Sequence, residues 1–310
     1  MFDISKYLEK LDCPNCKHTS FKVLKKSNYT NIKNEEDLNK IYRSSADEFL
    51  IDQLVECNEC SFKYLNPRIK SEIIFKSYSE NEDETHLLQD KHRYKTFKKS
   101  ITKIIKILKI ENIKNKNFLD IGSASGICLK AIKDLGFNEE GYEPSKWMVS
   151  YGVQNYKVNL KQGSVNDVSN NKYDLISMWD VLEHVTNLDE TLKKIQDLSK
   201  NKTFLILNVP NVDSFVCKLM KSKWPFYLNV HLYYFDKHSI ELILKKYNYE
   251  LVKNFAHWQF LGLGYIIKRA KKYSRFFSIL EKMVNFFNIS SLSIPYNLGQ
   301  TTFIFQKKNE

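Results

Sequence analysis

The sequence predicts an α/β chain built on a doubly wound, mostly parallel seven-stranded sheet, preceded by a small cysteine-bearing module. Three observations carry this. From residue 117 onward, short apolar runs alternate with segments of helical periodicity. The stretch NFLDIGSASGICLKAIKDLGFNEEGYEPS, residues 117–145, reads as strand, small-residue loop, helix and a second strand ending in an acid. Two C-x-x-C pairs lie within the first 65 residues.

The organisation follows in chain order. Residues 1–65 hold the cysteine module and residues 66–116 a helical connector, with SEIIFKSYSE and then HRYKTFKKSITKIIKILKI showing apolar residues at helical spacing. Residues 117–310 form the sheet domain, with strands expected near 117–121, 139–143, 157–161, 173–178, 202–208, 249–255 and 301–307. Helices fall near 126–135, 145–155, 189–199 and 238–247, and this alternation specifies a parallel sheet covered on both faces. A basic, aromatic segment at about 258–290 interrupts the pattern as a helical insertion. It is expected to cover the site at the strand ends with its Phe residues turned inward. Peripheral contact with a membrane is its other reading.

Cys13-Pro-Asn-Cys16 and Cys57-Asn-Glu-Cys60 each present two thiolates from one tight turn, the pattern of a structural zinc site. All four positions are Cys, which argues against an open catalytic zinc. The spacer of about 40 residues is long for a zinc ribbon, and Ser61 stands where a ribbon often has Gly. We expect Cys13, Cys16, Cys57 and Cys60 to hold one Zn2+, with the sheet domain folding independently of it. Cys128 and Cys217 stand alone in apolar helical settings and read as core residues.

Composition narrows the partners. The formal charge of +12 invites nucleic acid, but the excess is Lys scattered among Asn and Ile rather than a basic stripe. Neither a signal segment nor a run of about 18 apolar residues is present, so a cytoplasmic chain is expected. The oligomeric state is not legible.

The loop Gly122-Ser-Ala-Ser-Gly126 decides the ligand class. A dinucleotide loop needs its middle glycine for the backbone to approach a pyrophosphate; here that position is Ala124, and no P-loop Lys-Ser/Thr follows. A nucleoside ligand without phosphates relaxes the requirement, and S-adenosylmethionine (SAM) is one. Asp120, ending the first strand, can attract its ammonium. Gly122 and Gly126 permit the tight turn, Glu143 can accept from the ribose diol, and Asp167 from the adenine amine.

At these residues the chain resembles class I SAM-dependent methyltransferases. FLDIGSASG is similar to the family's first motif, GYEPS to its second, and YDLISMWDVLEHV to the segment after the fourth strand; NVPNVDSF and HLYYFDKHSIELILKKYNYEL continue the likeness. NLGQTTFIFQKK resembles the final strand, and the paired C-x-x-C with Asn66-Pro-Arg68 a zinc-bearing branch whose members modify sugars, glycan precursors or other small metabolites. The resemblance implies a Rossmann-like sheet and places Ser123 and Asp180 in the cofactor pocket as well. Ala124 for Gly and Ser123 for a common Cys are departures.

Methyl transfer needs alignment and exclusion of water, and a hydroxyl acceptor also needs a base. His184, after the fourth strand, and His231, in NVHLYYF after the fifth, are the candidates. The remaining histidines (His18, His86, His92, His238 and His257) carry no supporting feature. Asp180, Glu183 and His184 also resemble a divalent-cation site of ubiquinone-pathway O-methyltransferases, although a solvated helix start is the expected account. The reading is therefore O-methylation of a small molecule, a sugar or glycan precursor of polysaccharide biosynthesis. The alternatives are RNA methylation, against which WDVLEH stands in place of an N-P-P-Y motif, and a noncatalytic SAM-fold module.

Overall fold

The computed structural model describes residues 2–42, 50–74, 87–169 and 171–308. His86 and the second half of the SEIIFKSYSE segment lie outside these residues. The N-terminal part contains strands β1 (Leu8–Glu9) and β2 (Phe21–Lys25), helix α1 (Glu35–Ile41), and strands β3 (Leu54–Cys57), β4 (Lys63–Leu65) and β5 (Arg68–Ile69). Helix α2 (Asp90–Leu108) leads into the sheet domain.

There β6 (Asn117–Ile121), α3 (Ile127–Asp134), β7 (Asn138–Glu143), α4 (Lys146–Tyr156), β8 (Leu160–Gln162) and β9 (Tyr173–Trp179) follow in alternation. Next come α5 (Leu188–Leu198), β10 (Ser199–Pro210), α6 (Phe215–Met220), β11 (Tyr233–Tyr234), α7 (Lys237–Lys245) and β12 (Tyr249–Ala256). The insertion consists of β13 (Gln259–Gly262), α8 (Leu263–Ala270), α9 (Phe276–Phe286) and β14 (Ser293–Tyr296), and β15 (Gln300–Lys307) closes the sheet.

The seven-stranded sheet has the order β12-β15-β10-β9-β6-β7-β8. β15 runs antiparallel to both neighbours, β10 and β12, and the other pairs are parallel. The seven strands expected from the sequence are the seven observed. The third begins later than expected, at Leu160, because Lys157 takes a left-handed conformation to end α4.

Alternation along the strands sorts the core onto two faces. Phe118, Leu175, Ile206 and Ile304 pack with Ile101 and Ile104 of α2 and with Leu129 and Ile132 of α3. Leu119, Ile176, Leu205, Leu207, Phe303 and Phe305 belong to the opposite cluster, which continues through Leu232 and Phe235 into Val55, Phe62, Tyr64 and Leu65 of the cysteine module.

The cysteine module and the sheet domain share more than this cluster: β11 pairs with β4, completing a four-stranded sheet β11-β4-β3-β2. The boundary placed at residue 65 is crossed as well, since β5 pairs with β1 through Leu8↔Ile69 and Glu9↔Arg68. The described residues of the polar spacer between the cysteine pairs bury Asp52, which accepts from Tyr29 (2.6 Å) and Tyr42 (2.5 Å).

Candidate active site and metal centre

The two C-x-x-C turns build matching knuckles. Lys17 N–H donates to Cys13 O and Ser61 N–H to Cys57 O, while Cys13 and Cys57 N–H donate to His18 O and Phe62 O. Lys17 and Ser61, each following the second Cys of its pair, both have positive φ. Ser61 thus adopts the left-handed geometry that glycine would take more easily. The four Sγ atoms lie within 4.8 Å of one another, with Cys13 and Cys60 3.6 Å apart and Cys16 and Cys57 3.5 Å apart. Tetrahedral thiolates about 2.3 Å from zinc are separated by about 3.8 Å, so the donor set fits that ion.

Asn66 and Arg68 tie this centre to the rest of the chain. The Asn66 side chain bonds Leu11 N–H and O at 3.0 and 2.9 Å. Arg68 is buried and donates to Glu9 (2.8 Å), to Tyr233 Oη (3.2 Å) and to Thr186 O (2.8 Å) in the turn after β9.

The glycine loop follows β6. Gly122 N–H and Ser123 N–H donate to Tyr142 O, which anchors the loop against the end of β7. Gly122 (φ 71°), Ala124 (φ 47°) and Gly126 (φ 75°) are all left-handed. At Gly122 there is no room for a side chain either, since a Cβ would lie 2.5 Å from Val181 Cγ2. Ala124 accepts the same backbone without glycine's freedom, and its N–H donates to Glu143 Oε2 at 2.9 Å. Glu143 Oε1 accepts from Ser145 N–H at 2.9 Å, so this fully buried carboxylate holds loop and strand end together.

Asp120 is 1% exposed at the end of β6. Its Oδ1 accepts from Ser177 Oγ at 2.5 Å, and its buried Oδ2 has no hydrogen-bond partner among the described residues. Burial pushes its carboxyl up to about 6. An orphaned carboxylate oxygen beside a glycine loop fits a cationic ligand group. Ser123 donates to Asp120 O at 2.8 Å and supports the turn from beneath. Asp167 is exposed and caps its own turn, accepting from Ser164 N–H (2.7 Å) and Oγ (2.9 Å).

Asp180 ends β9 with φ 57° and is surrounded by side-chain amides. Its Oδ1 accepts from Asn208 and Gln300, each at 2.7 Å, and Gln259 of β13 approaches Oδ2 at 3.5 Å. Gln259 also donates to Gln300 Oε1 (2.7 Å) and accepts from Tyr296 Oη (3.0 Å). Sequence reasoning missed Ser177, Asn208, Gln259, Gln300 and Tyr296. The insertion therefore reaches the edge of the site through its hairpin, as a cover would.

Its helices do otherwise. Phe276, Phe286 and Phe287 are 61–84% exposed, against the expectation that the insertion turns its Phe residues inward.

Glu183, His184 and His231 form a second cluster, their ligand-type atoms within 4.8 Å of one another. The two imidazoles meet edge to face with ring centres 4.7 Å apart. Each Nδ1 bonds a carbonyl at 2.8 Å, Val230 O for His184 and Phe226 O for His231. A carbonyl only accepts, so both rings carry the proton on Nδ1 and leave Nε2 with a lone pair. Burial lowers His184 to about 4; burial and then the neighbouring His184 hold His231 well below its ordinary value.

Glu183 is 1% exposed and neither carboxylate oxygen has a hydrogen-bond partner among the described residues, which overturns the expectation of a solvated helix start. Burial, and then the nearby Asp180, raise its carboxyl well above the ordinary range.

The segment carrying His231 is held from both sides. Leu232 N–H donates to Glu183 O (2.8 Å), and Leu65 N–H of the cysteine module donates to Leu232 O (3.0 Å). Leu50 N–H bonds Tyr227 O, and Ile51 N–H bonds Asn229 Oδ1.

A family model described as a methyltransferase domain matches residues 90–254, just over half of the chain. The chain belongs to the class I SAM-dependent methyltransferases. No curated protein sequence matches it significantly. Among solved structures it is similar to magnesium protoporphyrin IX methyltransferase from Synechocystis, 13% identical, TM-score 0.48, over 74% of this chain and 89% of that one. It is also similar to a SAM-dependent methyltransferase from Archaeoglobus fulgidus, 18% identical, TM-score 0.48, over 73% of this chain and all of that one. A third, from Thermotoga maritima, is 14% identical with TM-score 0.46, over 71% and 91%. Likeness at this level carries no acceptor across.

In this methyltransferase Asp120, Gly122, Ser123 and Glu143, the residues expected at the cofactor, are joined by the hydrogen bonds of one loop. His184, His231 and Glu183 form a separate group, and Asp180 belongs to the amide network beside the insertion.

Proposed function

We propose that this methyltransferase transfers the methyl group of SAM to a hydroxyl of a small molecule, a sugar or glycan precursor. When bound, SAM supplies an already activated methyl. Asp120 Oδ2 would hold the ammonium, Gly122, Ser123 and Gly126 the turn around the methionine tail, Glu143 the ribose diol and Asp167 the adenine amine. Glu143 meets the ribose with its remaining lone pairs, since backbone amides already engage both oxygens.

One observation carries the acceptor reading: two imidazoles in edge-to-face contact, each with its Nδ1–H fixed on a carbonyl, so that each Nε2 keeps its lone pair. Their lowered pKa keeps them neutral at physiological pH, ready to receive the hydroxyl proton as the oxygen attacks. The Cys13–Cys16–Cys57–Cys60 zinc has a structural role. It would brace the turns beside β3 and β4; β4, which pairs with β11, and Leu50 and Ile51 just before β3 bond residues 227–234 and so place His231. The test is incubation with labelled SAM and, in parallel, a panel of nucleotide sugars and total RNA, scored by mass spectrometry. Methyl gain on at least one sugar supports the reading, and exclusive labelling of RNA contradicts it.

A second reading of the same cluster is a divalent-cation site formed by Glu183, His184 and His231. The observation favouring it is an all-acceptor set, two Nε2 lone pairs and two unpartnered carboxylate oxygens, gathered in a buried place. Mn2+ titration followed by electron paramagnetic resonance tests it, since Mn2+ avoids an all-thiolate centre. Failure to bind Mn2+, or equal binding by Glu183→Gln, removes this reading.

A further inference from the structure

We propose that the outward face of α9 and the loop after it dock on an anionic lipid bilayer. The sequence of residues 263–292 is apolar at more positions than one helix face can bury. Inward, Val284 is buried, and Phe277 and Leu280 are half-buried. Outward, Phe276, Ile279, Met283 and Phe286 follow one another at three- and four-residue steps and so form a single stripe. Phe287, Ile289 and Leu292 extend the exposed apolar surface past the helix end. A helix that is apolar on both sides needs a second apolar neighbour, and none covers this stripe among the described residues.

Charge selects the neighbour. Residues 263–292 contain six basic residues and one acid. Lys268, Arg269, Lys272, Arg275 and Lys282 are exposed, while Lys271 pairs with that acid, Glu281. A second copy of the chain meeting this patch across a two-fold axis would oppose like charges. Single-stranded nucleic acid would use flat rings for stacking, whereas Ile279, Met283, Ile289 and Leu292 offer aliphatic surface. A bilayer with anionic headgroups satisfies both parts, taking the apolar side chains to the acyl boundary and the basic ones among its phosphates.

The hairpin that flanks α8 and α9 is tied to α2 and reaches the site. Gly262 N–H donates to Gln89 Oε1 (3.0 Å) and Phe260 N–H to Thr96 Oγ1 (2.7 Å), both at α2. Lys95 and Lys99 lie over the Phe260 ring at 4.3 and 4.4 Å. Through Gln259 the same hairpin reaches Gln300 and Asp180. Docking would therefore bring the acceptor side of the enzyme to a lipid surface and suit an acceptor carried on a lipid. That consequence rests on the proposed acceptor class; the docking itself does not.

The experiment is co-sedimentation of the full chain with vesicles of phosphatidylglycerol and phosphatidylcholine in equal parts, and of phosphatidylcholine alone. SAM binding is measured in parallel by calorimetry. The expected result is sedimentation with the anionic vesicles, weakened by salt and absent with phosphatidylcholine alone. Phe276→Ser combined with Phe286→Ser should reduce it at least about tenfold while SAM affinity and the circular dichroism spectrum stay unchanged. Two results would overturn the proposal: no sedimentation with anionic vesicles, or undiminished sedimentation of the double variant. A wild-type dimer that the double variant converts to monomer would also overturn it, by assigning the stripe to a second copy. Loss of SAM binding by the wild type would instead count against the cofactor reading alone.

Discussion

The backbone N–H of Ala124 donates to the Glu143 carboxylate at 2.9 Å, across the loop between the ends of β6 and β7. A residue with a Cβ, in a left-handed conformation, is thus held by the acid assigned to the ribose. Left-handed backbone costs a non-glycine residue about 1 kcal/mol or more, part of which glycine's larger unfolded-state entropy returns. Ala124→Gly is expected to raise unfolding free energy by about 0.5 kcal/mol. Gly122→Ala should lower it by about 2 kcal/mol or more, because strain is joined by the clash with Val181. Denaturant titration of the two variants checks both signs.

Asp120 links the cofactor to pH. Its folded pKa, about 6, lies above the ordinary 3.8. The folded state therefore binds this proton more tightly than the unfolded one, and the unliganded protein gains stability from Asp120 as pH falls through 6 toward 4. SAM would select the ionised carboxylate, so its affinity should fall as pH drops through 6, by up to about tenfold per unit. Calorimetry between pH 7 and pH 5 is the check. Asp120→Asn should bind weakly at every pH and lose this slope.

Because the cysteine module shares β11 and one apolar cluster with the sheet domain, metal loss should reach both. Elemental analysis is expected to find one zinc per chain in the wild type and none in Cys57→Ser. The variant should unfold at lower temperature in one transition. Its turnover should fall more than its SAM affinity, since the bonds from Leu50, Ile51 and Leu65 place the His231 segment. An unchanged melting profile would restore independent folding of the domain.

His184 and His231 touch, so they should act as a unit. His231→Ala is expected to leave SAM affinity nearly intact and to reduce turnover about 10²–10⁴-fold, the range for a lost general base. His184→Ala is expected to show the same profile, because its ring meets that of His231. Single-turnover kinetics on both singles and the double should show a double no slower than the worse single.

Much of this was legible because period and chemistry agree within short windows. Asp120, the glycine loop and Glu143 lie within one βαβ unit, and the central strands β6, β9, β10 and β15 announce themselves by their apolar runs. The partners of Asp180 were not legible: Gln300 is 120 residues away in sequence, and pairing them requires the order β9-β10-β15. The same holds for His184 with His231, which the turn at Glu183 and the strand β4 bring together. The insertion misled for a different reason. Apolar residues on both sides of a helix read as buried, and sequence alone does not say that one side faces outward.

The central claim is that this site binds SAM through its glycine loop and the Glu143 carboxylate. Calorimetric titration of SAM into the wild type and Glu143→Ala tests it most directly. The account predicts one site per wild-type chain and a loss of about 2–3 kcal/mol in the variant, the scale of charged hydrogen bonds removed from a buried place. Absence of binding by the wild type, or equal affinity in the variant, would contradict it.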